Sequence, residues 1–133
     1  MSKAYTFLKE CGAFFVGTVN EAAPAVRPFG AIMEHDGVIY IPTANTKAVY
    51  KQISANPKLQ LTALKPGTTN WIRVNATAVE CKELEIKKAM MEACPVLAQI
   101  YGEAGNPAFV VFALTEAEAI FYDLMTETFT EKF

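Results

Sequence analysis

The sequence predicts a mainly β fold with short flanking helices (α+β), its strands antiparallel and wrapped toward a barrel. Three observations carry this reading. Seven short runs, apolar or alternating, are bounded by turn residues. Several of these runs follow one another through turns too short for anything but antiparallel pairing. Helical spacing appears three times, between groups of strands, and not after every strand as a parallel doubly wound sheet requires. With 133 residues, 52% of them hydrophobic, the chain suits one domain, residues 1–133, around one core.

The elements follow in order. Ser2 caps a helix that runs to about Cys11, with Ala4, Tyr5, Leu8 and Cys11 on one face, and Gly12 stops it. Residues 13–19 are apolar and β-branched, a buried strand, and residues 20–24 are turn chemistry. Residues 25–33 form a second strand. Pro28 and Gly30 interrupt it and mark an edge, a bulge or a close approach by another group. Asp36-Gly37 turns the chain into a third strand, residues 38–41, which breaks at Pro42. A helix follows with Val49, Tyr50 and Ile53 on its apolar face, ended by Asn56-Pro57. Residues 59–64 and 71–81 are the next two strands, joined through Pro66-Gly67. In the second of these, Ile72, Val74, Ala76 and Ala78 make a core face. Trp71, Arg73, Asn75, Thr77 and Val79 make an unusually polar opposite face. Residues 83–101 read as a helix that Pro95 kinks or divides. After a loop, residues 109–114 and 119–125 are the last two strands, and the polar residues 126–133 are expected to fray.

Composition excludes several functions. Twelve basic against fourteen acidic side chains leave a net charge of −2, which argues against a general nucleic-acid binder but leaves room for one local basic pocket. Cys11, Cys81 and Cys94 form no CxxC pair, and His35, in a turn, is the only histidine, so no metal site is expected. Such cysteines suit small buried thiols in a reducing compartment. Residues 1–12 lack the apolar stretch of a signal peptide, and no apolar run approaches the roughly 20 residues that span a bilayer. A cytoplasmic protein that neither crosses membranes nor binds nucleic acid is the expectation.

The chemistry concentrates at Ile41-Pro42-Thr43-Ala44-Asn45-Thr46-Lys47, a strand end, a small polar loop and a helix start. Thr46 is read as the N-cap. Unpartnered N–H groups at the helix start favour an anion, Thr43 and Thr46 add hydroxyls, and Lys47 adds a full charge. Ordinary capping beside a solvated lysine accounts for the same residues. Arg27 weighs against that blander account, because it lies within an apolar strand where an unpaired charge is costly. It needs either a carboxylate, such as Glu34 or Glu80, or a phosphate that fits its planar fork. Beside it, Pro28 and Gly30 leave the backbone open to a flat ring. Trp71 and Arg73 are a second basic and aromatic pair, explained equally by cation–π packing at a surface. No GxSxG, HExxH, GxxxxGK[ST] or GxGxxG motif is present, so reactive chemistry would come from a bound cofactor.

At these residues the chain resembles the pyridoxamine 5′-phosphate oxidase-like family of FMN-binding split barrels. The pieces that carry the resemblance are Gly17-Thr18-Val19-Asn20, Pro24-Ala25-Val26-Arg27-Pro28, Asp36-Gly37-Val38-Ile39-Tyr40-Ile41-Pro42-Thr43, Thr46-Lys47, Asn56-Pro57 and Trp71-Ile72-Arg73-Val74. The resemblance implies a split β-barrel and a homodimer with FMN at the subunit interface. It implies that Arg27 and Lys47 contact the phosphate with Thr43 and Thr46 nearby. Val26, Arg27, Pro28 and Phe29 on one strand, with Ile41, Pro42 and Thr43 on another, would border the ring. Trp71 and Arg73 would reach the site from the partner subunit. The tail at residues 126–133 does not look like the substrate-binding end of the vitamin B6 oxidase itself. The resemblance therefore points to a flavin-dependent oxidoreductase of other substrate. The alternatives are a flavin carrier or sensor without turnover, and a deazaflavin- or haem-binding relative.

Overall fold

The computed structural model describes residues 2–133. Helix α1 (Lys3–Cys11) leads into strands β1 (Phe14–Asn20), β2 (Ala23–Phe29), β3 (Met33–His35) and β4 (Val38–Ala44). Helix α2 (Ala48–Ala55) precedes β5 (Lys58–Leu64) and β6 (Asn70–Cys81). Helices α3 (Leu84–Ala93) and α4 (Val96–Tyr101) then lead to β7 (Phe109–Asp123) and β8 (Thr126–Lys132). All eight strands join one antiparallel sheet in the order β2-β1-β5-β6-β7-β4-β3, with β8 paired to β7 beside that path. The ends of the path, β2 and β3, do not pair, so the barrel is split.

Alternation sets which face turns inward. On β5, Leu59, Leu61 and Ala63 are buried and the residues between them exposed. On β6, Ile72, Val74, Ala76 and Ala78 are buried, as the sequence predicts. With Phe14, Val16, Ile39, Ile41 and Leu114 they fill the barrel, and Leu8 of α1 and Ile53 of α2 close it. A second cluster lies outside, where Met33, Tyr40, Phe109 and Val111 meet Ile86 and Met90 of α3 and Leu97 of α4. Strand β4 is therefore covered on both faces. The Asp36-Gly37 hairpin has φ +50° and +80°, which the glycine adopts without strain. Among the described residues no helix is long and apolar enough to cross a membrane.

Five sequence expectations change. The second strand ends at Phe29, and the chain pairs again only at Met33 as β3. The third does not break at Pro42 but runs to Ala44 along β7. Strand β3 covers β4 only as far as Tyr40, so at Pro42 one edge needs no N–H donor. Thr46 is not the N-cap of α2. Lys47 holds that position in an extended conformation, after a turn closed by Lys47 N–H on the Ala44 carbonyl at 3.1 Å. The two last strands are one, β7, which bends near Glu116 (φ +48°), where the register against β6 also shifts. Pro95 divides the long helix into α3 and α4.

The fifth correction is the tail, which is strand β8 and not frayed. Its carboxylate Glu131 accepts hydrogen bonds from the N–H groups of Lys3 and Ala4 at 3.2 and 3.0 Å. Ser2 Oγ accepts from Tyr5 N–H at 3.1 Å, and Glu34 accepts from Ser2 N–H at 3.0 Å. All four open donors of α1 are thus satisfied, two of them by the tail. We predict that Glu131→Ala lowers stability by about 0.5–2 kcal/mol, the usual cost of a lost cap, read as a lower midpoint in urea. An unchanged midpoint would show that water replaces the carboxylate at no cost.

Candidate functional site

Four segments of the chain meet at one cleft of about 360 Å³. Strand β2 delivers Arg27, Pro28 and Phe29, and the unpaired stretch beyond it delivers Gly30 and Ala31. Strand β4, kept straight through Pro42, delivers Pro42 and Thr43. The start of α2 delivers Lys47 and Val49. Helix α4, released from α3 by Pro95, lays Val96, Leu97, Ile100 and Tyr101 along the opposite wall.

Arg27 is half-buried, and burial lowers its pKa from the ordinary value. Neither carboxylate expected as an alternative partner reaches it. Glu34 is held by Ser2 N–H, and Glu80 accepts from Tyr50 Oη at 2.8 Å. Its partners are neutral: Nη1 donates to Thr18 Oγ1 at 2.6 Å and to the Val16 carbonyl at 3.2 Å, and Nη2 donates to Gln52 Oε1 at 2.6 Å. The guanidinium is thus fixed in place with no counter-charge from the protein among the described residues.

The start of α2 contrasts with that of α1. No side chain caps it, and no described group accepts from the N–H of Ala48 or Val49. Lys47 is exposed at this end, while Thr43 is buried beside it with 4% exposure. Asn45 pins the loop, bonding through Nδ2 to the Pro107 carbonyl at 3.0 Å and through its own N–H to the Ala108 carbonyl. Two cations and two open N–H groups make this end of the cleft electropositive. The other end is apolar. Burial pushes the Tyr101 phenol up, so it stays a protonated donor at neutral pH. At Gly30 the nearest atom to an added Cβ is 4.0 Å away, so a ring has room to approach the backbone.

Of the expected site residues, Arg27, Pro28, Phe29, Pro42, Thr43 and Lys47 come together in the cleft. Ile41 does not line it and lies fully buried in the barrel. Thr46 is exposed outside it. Val26 points from the outer face of β2, its Cγ2 over Gly17. Trp71 and Arg73 also lie on that outer face. Trp71 stacks on Tyr122 with ring centres 4.0 Å apart and donates Nε1–H to the Leu124 carbonyl at 2.6 Å, and Arg73 sits over both rings. Sequence reasoning missed the α4 wall, although Pro95 followed by Val96, Leu97, Ile100 and Tyr101 was a signal for it. It also missed Thr18 and Gln52, for which only distant pairing gives the answer.

The sequence pattern of the pyridoxamine 5′-phosphate oxidase family matches residues 2–123. No curated protein sequence matches the chain. Among solved structures, the chain is similar to a NimC/NimA family protein from Clostridium acetobutylicum. The two share 35% identity over 97% of this chain and 91% of that one, with a TM-score of 0.90. It also shares its fold with a pyridoxamine 5′-phosphate oxidase-related, FMN binding protein from Nostoc punctiforme, at 14% identity over 97% and 91% of the two chains and a TM-score of 0.66. A heme binding protein from Mycobacterium smegmatis has the fold too, at 12% identity over 98% and 55% and a TM-score of 0.73.

Proposed function

The chain belongs to the pyridoxamine 5′-phosphate oxidase family, and from that premise we propose that its cleft binds FMN by the phosphate and serves a flavin-dependent oxidoreductase. The observation that carries this reading is a cationic cleft end without a counter-ion among the described residues: Arg27 has only neutral partners there, and no described side chain caps the start of α2 beside Lys47. A phosphate answers all of these groups at once. Thr43 lies within the same end, and Pro28–Ala31 with the apolar side of α4 would hold the flat ring. FMN bound there supplies hydride transfer at its ring. The protein's part is to hold the phosphate, to keep water from the ring with Val96 and Ile100, and to keep a proton on Tyr101 Oη beside the cleft.

The cleft is open on one side, and the reading includes a homodimer that closes it. One row of side chains runs across the outer sheet face from Pro28 of the cleft through Phe15 and Thr62 to Arg73. Phe15, Val26 and Leu64 are exposed on that face at 46%, 64% and 60%. A second copy laid there would bring Trp71 and Arg73 of the partner subunit toward the ring, in a single 133-residue domain per subunit. The free Cys11, Cys81 and Cys94 suit a reducing cytoplasm.

The test is titration of purified protein with FMN, riboflavin, a deazaflavin and haem, followed by absorption and flavin fluorescence. FMN is expected to bind more than about a hundredfold tighter than riboflavin, given two charged phosphate contacts. Equal affinity for the two flavins, or tighter binding of haem or deazaflavin, would overturn the assignment. Reduction of the bound flavin by NADH or NADPH distinguishes an oxidoreductase from a carrier.

A further inference from the structure

The bonds around Arg27 form a closed ring. Nη1 donates to Thr18 Oγ1, Thr18 Oγ1 donates to Gln52 Oε1, and Nη2 donates to the same Gln52 oxygen, each at 2.6 Å. Thr18 is 4% exposed, so it has little water with which to exchange these bonds. The Val16 and Ala25 carbonyls, at 3.2 and 3.3 Å, take what remains of Nη1. The end-on edge of the fork, Nη1 with Nη2, is therefore fully engaged. The side-on edge, Nε–H with the second Nη2–H, has no acceptor among the described residues, and it has the geometry for two oxygens of one anion.

We propose that Thr18 and Gln52 are positioning residues for anion binding, holding the Arg27 guanidinium end-on so that its side-on edge is presented to the phosphate in the cleft. This rests on the phosphate reading above. Its physical basis is preorganisation. An arginine side chain has many rotamers, and freezing one of them before binding removes that entropic cost from the binding step. Neutral partners are required for this. A carboxylate in place of Gln52 would hold the fork equally well but would neutralise the charge the phosphate needs. Gln52 sits just over one turn beyond Lys47, so the helix that offers its open N–H groups also sets the angle of the arginine.

The experiment compares FMN and riboflavin affinity in the wild type, Thr18→Val, Gln52→Met and Thr18→Ser. Valine and methionine keep the volume and remove the acceptor, and serine restores the hydroxyl. FMN binding is expected to weaken about tenfold in Thr18→Val and Gln52→Met, since a charge-assisted bond orients the group. Riboflavin binding is expected to hold, and Thr18→Ser to recover most of the FMN affinity. A purely structural role would weaken both flavins together, and that result overturns the proposal. So does an unchanged or tightened affinity for FMN, which would mean that the ring of bonds withholds the arginine. A wild type with no preference for FMN over riboflavin overturns the phosphate reading and this proposal together. A wild-type preference that is undiminished in both Thr18→Val and Gln52→Met overturns this proposal alone.

Discussion

Arg27→Ala is expected to weaken FMN binding by one to two decades, and Lys47→Ala by a similar amount, at about 1.5–3 kcal/mol for each charged contact. Riboflavin affinity should change little in either variant, because both residues act on the phosphate. The two differ in what they risk. The Lys47 side chain is exposed and bonds to no other group among the described residues, so its loss leaves the fold alone. Arg27 is tied into the barrel, but Thr18 and Gln52 still bond to each other when it is removed. The fold should therefore survive Arg27→Ala. Isothermal titration beside thermal unfolding checks both points. FMN binding that is intact in both variants would place the phosphate elsewhere. Loss of the folded state in Arg27→Ala would make the arginine a structural strut.

Trp71→Ala is expected to weaken self-association by about 2 kcal/mol or more, the scale of a tryptophan anchor at an interface, or roughly thirtyfold in the dimer constant. FMN affinity should fall with it at protein concentrations near that constant. Within its own subunit Trp71 stacks on Tyr122 and closes the β7–β8 turn through Leu124. Some loss of monomer stability will accompany the change, about 0.5–1.5 kcal/mol for the stacked pair. Light scattering as a function of concentration, with and without FMN, separates the two effects. A wild-type monomer that binds FMN fully would exclude the shared site.

The elements set by local chemistry were legible in the sequence. Ser2, Gly12, Asp36-Gly37 and Pro95 each act within a few residues, and the structure puts a cap, a stop, a hairpin and a helix break there. Strand β6 was legible because its alternation records one buried face over its whole length. What local reasoning missed depends on partners far along the chain. Pro42 continues a strand because β3 is short, and β8 pairs because β7 outlasts β4. The polar tail looked unable to bury anything. Its role is to supply a carboxylate to a helix start more than a hundred residues away. In the cleft, charge in an apolar context exposed Arg27, whereas Gln52 carried no such anomaly. A glutamine on a helix is unremarkable until a strand brings an arginine to it.

The bond between Glu131 and the start of α1 also has a consequence in time. A chain made from its N-terminus produces α1 first and Glu131 more than 120 residues later. A nine-residue helix alone in water is marginal, and closing so long a loop forfeits entropy that only a formed barrel can offset. Helix α1, made before every strand of the barrel, is thus among the last elements to be fixed, and until then the barrel end that Leu8 covers stands open. In kinetic terms Glu131→Ala should speed unfolding and leave the folding rate nearly unchanged, because its contact forms after the barrier. A variant that slowed folding instead would put the two ends of the chain in the nucleus.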